Sequence, residues 1–364
     1  MTDRRQERIA RLLDRLSGEG LDALVVSHLP NIRYLTGFSG SSALLLVCAQ
    51  GTVLITDFRY DTQSREEVGD LARIVVDAVG NIERLVQVLP DYPAVHTVGF
   101  ESHALTVREA GRFAAEQARA WRFQGVADLV EELRLSKAPE EVGSVRAAGA
   151  VATAALEEAA AGVHAGQTEF EVAALLEGAL RRHGSEDYAF PSIVASGPRA
   201  ALPHARTSGR VVAPGDFLLL DFGAVVDGYV SDVTRTFVVG AAPSARQHRV
   251  HELVVRAQQA ALEGLRAGMS GRMGDALARD VLESAGEGAA FGHSLGHGIG
   301  LEIHEGPRLS RTAEQTLPEG AVVTVEPGLY YSGWGGVRIE DDVVLSGGGA
   351  TLLTQFPRDL LVLG

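Results

Sequence analysis

The sequence predicts an α+β protein of two domains, a smaller α/β domain over residues 1–133 and a larger domain over residues 134–364. The first observation is that predicted strands and helices alternate through the first 133 residues, as they do in α/β domains. The second is a helix-start signal at residues 136–141, where a serine, an early proline and two glutamates precede an alanine-rich segment. The third is that two apolar hairpins of the larger domain carry acids within their strands.

The elements of the smaller domain follow from the spacing of its apolar residues. An amphipathic helix is predicted at 4–17, because apolar residues recur on one face and glycines follow. Cys48 stands in an apolar run, so we expect it to be a buried strand residue. No pattern in this domain indicates chemistry of its own. Strands are predicted near 23–27, 43–47, 53–56, 74–76 and 97–100, and further helices near 60–68, 82–88 and 106–118.

Composition and charge limit the kinds of binding partner and the cellular compartment that we expect for this protein. The formal net charge of −14 argues against a nucleic-acid partner, because binding phosphates requires basic patches. No apolar run approaches the length of a membrane span, and the charged start lacks the apolar core of a signal peptide. The single cysteine excludes an intrachain disulfide and favours a reducing compartment. We therefore expect a cytoplasmic protein without nucleic-acid or membrane partners.

Helical spacing in the larger domain predicts helices that serve as scaffold. They run from the start signal to about 161, and then over 168–183, 245–265 and 273–284. Between the second and third of these helices, a predicted strand ends in a loop that carries His204. By composition alone, a lone loop histidine is expected to be an exposed surface residue.

Two hairpins of the larger domain carry acids inside apolar strands. They span residues 217–239 and 321–344, with an Asp-Gly turn in the first and a glycine-rich turn at 333–336 in the second. Folding each hairpin at its turn puts its two acids on facing strands, within about 5 Å of each other. Unpaired carboxylates are very costly to bury, so something must neutralise them. The two pairs are Asp221 with Asp232 and Glu326 with Glu340.

A glycine-rich stretch between the hairpins, residues 291–305, supplies His293, His297 and His304. Histidine is the commonest metal ligand in proteins. Two divalent cations would balance four carboxylates, and one neutral imidazole could complete the ligand set. Oxygen-rich sites with one nitrogen suit manganese, zinc, cobalt or iron. The sequence therefore predicts a two-metal centre, a kind of site common in aminopeptidases.

Four segments carry a family resemblance: LLLDFGAVVDGYVSDVTRTF, FGHSLGHGIGLEIHE, VVTVEPGLY and GVRIEDD. They resemble the M24 metallopeptidases of the pita-bread (creatinase/aminopeptidase) fold, which include methionine aminopeptidase, aminopeptidase P and prolidase. The resemblance covers residues 140–360. Segments 31–41 and 56–60 resemble the N-terminal domain of aminopeptidase P and prolidase, which methionine aminopeptidase lacks. The resemblance thus implies the proline-specific branch and a C-terminal pita-bread domain.

The resemblance also implies roles for individual residues. Asp221 would bind one metal, His297 and Glu326 the other, and Asp232 and Glu340 would bridge the two ions. Glu326 would also shuttle protons. His204 and His304 would hydrogen-bond the substrate and the tetrahedral intermediate. His293 would line the pocket that accepts proline. The role of Arg338 follows from its position instead: it stands two residues before Glu340, on the same strand face, so it would contact the substrate or support a metal ligand, unless it is a purely structural ion pair. Asp341 and Asp342 are expected to be solvated or to support the ligands.

Several alternatives remain open from the sequence. The first expectation is an aminopeptidase P-like enzyme that cleaves Xaa-Pro peptides with two metal ions, most aptly manganese, in a homodimer. The alternative is a prolidase restricted to Xaa-Pro dipeptides. A metal-free relative of the same fold would have lost ligand positions, and here none is lost. A nucleotide-binding loop at residues 296–300 leaves the histidines and the acidic hairpins without a role.

Overall fold

The computed structural model describes residues 3–77, 80–116 and 121–364, and the chain divides into two units, Met1–Arg134 and Leu135–Gly364. The last residues of the helix predicted at 106–118 lie outside the described residues. Within the described ranges, no helix combines the length and the apolar character needed to cross a membrane. The α+β architecture predicted from the sequence is confirmed, with a mixed sheet in the N-terminal unit and helix-covered sheets in the C-terminal unit.

The N-terminal unit contains short helices and strands in near alternation. The elements are α1 (Arg4–Gly18), β1 (Ala23–Val26), α2 (Leu29–Thr36), β2 (Ala43–Cys48), β3 (Gly51–Thr56), α3 (Asp61–Val68), β4 (Arg73–Val76), α4 (Asn81–Val88), β5 (Thr97–Glu101), α5 (Val107–Glu116), β6 (Arg122–Val126) and α6 (Glu131–Arg134).

The described strands of this unit form one sheet in the order β4-β3-β2-β1-β5-β6. β1 is antiparallel to β2 and parallel to β5, and β5 is parallel to β6. Cys48 is buried at the end of β2, as expected. The sequence did not predict α2 or β6. α2 has a proline in its first turn and Gly37 in the left-handed conformation at its end, and residues of these two types are also typical of turns.

The C-terminal unit contains longer helices and more strands. The elements are α7 (Pro139–Gly162), α8 (Glu169–Arg182), β7 (Ile193–Ser196), β8 (Phe217–Phe222), β9 (Val225–Val226), β10 (Tyr229–Val230), β11 (Val233–Val239), α9 (Ala245–Gly264), α10 (Gly271–Ser284), β12 (Gly296–Gly298), β13 (Glu305–Leu309), β14 (Val322–Val325), β15 (Gly328–Tyr331), β16 (Gly335–Arg338), β17 (Asp341–Ser346), β18 (Gly349–Leu352) and β19 (Val362–Leu363).

Local sequence signals explain where the helices of this unit begin. α8 and α9 each start at a capping box, in which Thr168 and Ser244 accept a backbone N–H three residues later. α7 begins at Pro139, but Ser136 is not its cap. Ser136 instead donates a hydrogen bond to the Glu319 carbonyl at 2.6 Å, and Ala138 holds the N-cap position. The serine of the start signal therefore lies two residues before the N-cap, and the proline and the two glutamates form the first turn.

Each half of the C-terminal unit combines a helix pair with an antiparallel sheet. α7 and α8 pack on the sheet β19-β11-β8-β7, and α9 and α10 pack beside the sheet β13-β12-β14-β17-β18. The two sheets meet where the acidic hairpins lie, because the Glu340 N–H donates to the Thr234 carbonyl at 3.1 Å. Buried Gln258 of α9 donates to the carbonyls of Val325 and Ile339 beside this junction. The fold thus brings the strand ends that carry acids to one place.

Candidate metal centre

The nine site residues predicted from the sequence line a single cavity of about 260 Å³ in the C-terminal unit. They come from separate strands and loops of both halves, so only the folded chain brings them together. The five proposed metal ligands are Asp221, Asp232, His297, Glu326 and Glu340, and the four further residues are His204, His293, His304 and Arg338.

The proposed metal ligands lie close enough to share ions. Asp232, His297 and Glu340 each offer a ligand atom within 4.8 Å of the others. His297 Nε2 lies 3.8 Å from Asp232 Oδ2 and 3.5 Å from Glu326 Oε1. Metal–ligand bonds in such sites are about 2.0–2.2 Å, so donor atoms about 3–4 Å apart match neighbouring corners of one coordination sphere.

The imidazole of His297 is oriented toward these acids by the backbone around it. Its Nδ1 lies 3.1 Å from the Gly298 carbonyl, which makes Nδ1 the protonated nitrogen and leaves Nε2 free to bind a metal. Glycine is required on both sides for space. A Cβ built on Gly296 would overlap the Thr324 carbonyl, and one built on Gly298 would overlap the Gly306 carbonyl. The repeated glycines of the motif therefore let strand β12 approach its neighbours.

The cluster holds more negative charge than the protein alone can stabilise. Burial and the neighbouring carboxylates raise the pKa values of Asp232 and Glu340 well above their usual range. Burial also raises the pKa of Glu326 to about 8, although Arg338 opposes this. Asp232 Oδ1 is buried without a hydrogen-bond partner among the described residues. Burial lowers the pKa of His297 to about 4, which keeps its imidazole neutral as a ligand must be. This donor set fits two divalent cations.

Arg338 supports one side of the cluster. Its side chain is buried, and it pairs with Asp221 Oδ2 and donates to Thr234 Oγ1 at 3.1 Å. Its Nη1 donates to the Tyr330 hydroxyl at 2.8 Å. These contacts are those of a residue that holds a metal ligand in place. A direct contact between Arg338 and substrate stays a prediction.

His293 is joined to Arg338 through Tyr330, a residue the sequence reasoning missed. His293 Nε2 lies 2.9 Å from the Tyr330 hydroxyl, and Nδ1 lies 2.7 Å from the Ser294 carbonyl. Burial lowers the pKa of His293 to about 4, so the ring is neutral. With the proton on Nδ1, His293 donates to Ser294 and accepts from Tyr330, which in turn accepts from Arg338. The chain of hydrogen bonds fixes the ring that lines the cavity.

His304 and Arg308 also line the cavity. The rings of His304 and His297 meet edge to face, with centroids 4.4 Å apart. Arg308 stands opposite His297 in the β12–β13 pair, so both side chains project from the same face of the sheet. Sequence reasoning missed Arg308, because β13 was not predicted and only its pairing register reveals the shared face.

One expectation about the acids is wrong, and another had two alternatives between which the structure decides. Asp221 pairs with Thr234 in the sheet register, so Asp221 and Asp232 are not directly opposite each other. The hairpin between them contains the small β9–β10 ribbon, which shifts the alignment. Asp341 and Asp342 are expected either to be solvated or to support the ligands, and their full burial favours the second alternative. Asp341 pairs with the buried Arg235 at 2.7 Å, and Asp342 accepts the Asp232 N–H at 2.9 Å, so both support the site's framework.

A larger groove of about 850 Å³ runs along α9, lined by Arg246, Arg249 and Arg256 among others. It is not the candidate centre. Its lining includes none of the residue groups that, in the described part of the chain, converge as metal ligands. The clustering of possible metal ligands therefore identifies the candidate site, whereas the volume of a groove does not.

The two sheets and the buried cluster between them indicate the class of enzyme. A buried cluster of four carboxylates and one imidazole, between two helix-covered sheets, is the framework of a dinuclear metallohydrolase. The chain belongs to metallopeptidase family M24: the family model matches residues 143–346, and that of the creatinase/prolidase N-terminal domain matches residues 8–136. Members of this family are dinuclear metal enzymes, and the chain is accordingly a metallo-exopeptidase.

Similarity to known proteins extends over nearly the whole chain. The Xaa-Pro dipeptidase of Pyrococcus furiosus is 34% identical, with 98% of this chain and 100% of that protein covered. The structure of an Xaa-Pro dipeptidase from Bacillus anthracis is 38% identical and covers 99% of this chain and 100% of its own, with a TM-score of 0.94. That of an X-Pro aminopeptidase from Thermotoga maritima is also 38% identical, covers 98% and 99%, and has a TM-score of 0.90.

Proposed function

We propose that the chain is an Xaa-Pro dipeptidase, that is, a prolidase. The observation that supports this most directly is the cationic Arg308 on the wall of the small cavity that contains the proposed metal ligands. Several similar proteins over the full length are Xaa-Pro dipeptidases. These findings favour the dipeptidase over the aminopeptidase P-like activity first expected from the sequence.

Arg308 suits a substrate whose carboxylate lies close to the scissile bond. In the described residues no carboxylate forms an ion pair with Arg308, whereas Arg338, the other arginine of the cavity, is committed to Asp221. The carboxylate of a dipeptide lies on the residue directly after the scissile bond, so a guanidinium beside the metal ligands can hold it. A longer peptide has an amide at that point and gains no charge pairing. The cavity, about 260 Å³, is slightly below the range of ~300–1,000 Å³ typical of ligand pockets, which also favours a small substrate.

We assign the metal ligands as the resemblance implied. Asp221 would hold one ion, His297 and Glu326 the other, and Asp232 and Glu340 both. The oxygen-rich set with one imidazole is suited to manganese, and it also accepts zinc, cobalt or iron. When bound, the ions supply Lewis acidity that lowers the pKa of water and polarises the scissile carbonyl.

The remaining steps belong to side chains. Glu326 would take a proton from the attacking water and deliver it to the leaving nitrogen of proline. His204 and His304 line the cavity and would hydrogen-bond the substrate carbonyl as charge develops on its oxygen. His293, held by Tyr330, would form the wall against the proline ring. A homodimer is proposed from the family resemblance.

An Xaa-Pro aminopeptidase is the second candidate. It is favoured by the structural likeness to the Thermotoga maritima X-Pro aminopeptidase, which is as similar in sequence as the Bacillus anthracis dipeptidase. The two activities differ in whether the site requires a free carboxylate on proline.

Three substrates test the proposal: an Xaa-Pro dipeptide, the same dipeptide as its C-terminal amide, and an Xaa-Pro-Xaa tripeptide. The dipeptidase should cleave the first far better than the other two. Arg308→Ala should lower kcat/KM for the dipeptide by roughly 10- to 150-fold, which corresponds to a charge-assisted hydrogen bond of about 1.5–3 kcal/mol, and should leave the amide unchanged. Arg311→Ala is the matched control, since Arg311 pairs with Glu283 outside the cavity. Preferred cleavage of the tripeptide would instead establish the aminopeptidase.

A further inference from the structure

A second group of metal-binding side chains lies in the N-terminal unit. It consists of His28, His103 and Glu131, which each offer a ligand atom within 4.8 Å of the other two. The sequence gives no sign of this group, because its members are separated by 75 and 28 residues. None of them belongs to the proposed dinuclear centre.

Sheet register explains why these residues converge. β1 and β5 are parallel, and Ala23 pairs with Val98 and Val25 with Phe100, a constant separation of 75 residues. His28 and His103 have the same separation, and each stands two residues beyond the end of its strand. The carboxyl ends of parallel strands meet at one edge of a sheet, which is where ligands bind in α/β sheets. Glu131 arrives at the same edge after β6, the next parallel strand.

The donor atoms have the spacing of one coordination sphere. Glu131 Oε1 lies 3.1 Å from His103 Nε2 and 3.7 Å from His28 Nδ1. Two donors at bond lengths of about 2.0–2.1 Å in a tetrahedron lie ~3.3 Å apart. The two imidazole rings meet edge to face, with centroids 5.4 Å apart. The side chains are 25%, 35% and 24% exposed for His28, His103 and Glu131, so an ion and a water molecule can reach them.

A network of hydrogen bonds behind the cluster holds it in place. Buried Glu101 accepts the backbone N–H of His28 at 2.7 Å, which fixes the start of the His28 loop. Asn31 Nδ2 donates to Glu101 at 2.6 Å and to Glu131 Oε1 at 2.5 Å. Arg134 donates to Asn31 Oδ1 at 2.7 Å, so the amide can only turn its nitrogen toward the two carboxylates. Burial, together with the nearby charge of Glu131, raises the pKa of Glu101.

We propose that His28, His103 and Glu131 bind a third metal ion, a Zn²⁺-class divalent cation, with water as its fourth ligand. Two imidazoles and one carboxylate are a common protein ligand set for zinc. The ion would join three segments of the N-terminal unit: the start of α2, the turn after β5 and the short helix α6. Each segment supplies one ligand, so the ion acts as a cross-link between loops.

The competing explanation is an ion pair without metal, in which a protonated imidazole donates to Glu131. The 3.1 Å contact between His103 and Glu131 fits that explanation as well. The two explanations differ in what they say of His28. Two protonated imidazoles beside one carboxylate oxygen would repel each other, so an ion pair explains only one of the two histidines. Two neutral imidazoles can share a cation, so a metal ion explains both. The number of metal ions bound per chain therefore distinguishes the two explanations.

The test measures zinc bound per chain. Full-length protein is freed of any histidine tag, stripped by chelation, dialysed against buffered free zinc and analysed by mass spectrometry of the metal. Compared with wild type, His103→Ala and Glu131→Gln should each bind one fewer zinc ion per chain. His96→Ala is the matched control, because His96 is an exposed histidine of the same unit outside the cluster, and it should bind as much as wild type.

A second measurement isolates the cluster from the dinuclear centre. The variant Asp232→Asn with Glu340→Gln removes two proposed ligands there, and it should still bind one zinc ion per chain that is lost when His103→Ala is added. Circular dichroism establishes that each variant is folded. Unchanged zinc content in folded His103→Ala and Glu131→Gln would overturn the proposal, whichever result the dinuclear centre gives.

Discussion

Removing the metal should make the stability of the protein depend on pH in a direction unusual for acidic side chains. Burial raises the pKa of Glu326 to about 8 in the folded, metal-free chain, from an ordinary value of 4.5. Between about pH 6.5 and 9 the unfolded chain therefore holds no proton on this residue, whereas the folded chain binds one as pH falls through 8. Because the folded state binds more protons, its stability must rise as pH falls.

The magnitude follows from the width of this window. From pH 8 to 6.5 the pH changes by ~1.5 units, and each unit corresponds to 1.36 kcal/mol, so the metal-free protein should gain about 2 kcal/mol. The raised pKa values of Asp232 and Glu340 act in the same direction. The window stops at about 6.5, since His293 and His297 have pKa values lowered to about 4 and oppose the trend below the ordinary histidine value of 6.5.

The assay is chemical unfolding of chelator-treated protein at about pH 6.5 and 9, with and without added manganese. Metal should reverse the trend, because ions and protons compete for the same carboxylates and binding strengthens as pH rises. Glu326→Gln should remove the share of the pH dependence that Glu326 contributes, about 2 kcal/mol, and leave the share of Asp232 and Glu340, whereas Glu314→Gln, at a 70% exposed residue of the same unit, should leave the whole dependence unchanged. A metal-free wild type that becomes more stable from pH 6.5 to 9 would show that these carboxylates do not bind protons as the protein folds.

Two further predictions concern the site. Asp232→Asn should abolish hydrolysis and lower metal occupancy, while His293→Ala should raise KM for proline substrates and keep the metal; full turnover by metal-replete Asp232→Asn would show that this residue is not a ligand. Gly298→Ala should lower stability by at least ~1–3 kcal/mol and weaken metal binding, because its Cβ would overlap the Gly306 carbonyl. Gly292→Ala, which has open space around the added atom, should melt like wild type.

The local chemistry of the site could be predicted from the sequence. Acids inside apolar strands and histidines among glycines cannot be explained without a cation, because an unpaired buried carboxylate is too costly. The expected residues all line one cavity. The family assignment and the metallo-exopeptidase class are confirmed. The similar proteins favour the Xaa-Pro dipeptidase over the aminopeptidase P-like enzyme that was first expected.

Two elements were missed because they contain residues that are typical of turns. α2 has a proline in its first turn, and β13 contains Gly306 and Pro307. Missing β13 also hid Arg308, whose position depends on pairing with His297. The sequence left open whether Asp341 is solvated or supports the ligands, for a related reason. Its burial depends on Arg235, which is 106 residues away in the sequence.

Charge and hydrophobicity along one strand are local properties, so the sequence was sufficient to predict which residues must be neutralised. Which residues share a face, a cavity or a hydrogen bond depends on how the whole chain folds. Sheet register and loop convergence arise from contacts between distant segments, and a shift of one residue would turn a side chain to the opposite face. The convergence of His28, His103 and Glu131 at one sheet edge is the clearest case, since nothing local connects them.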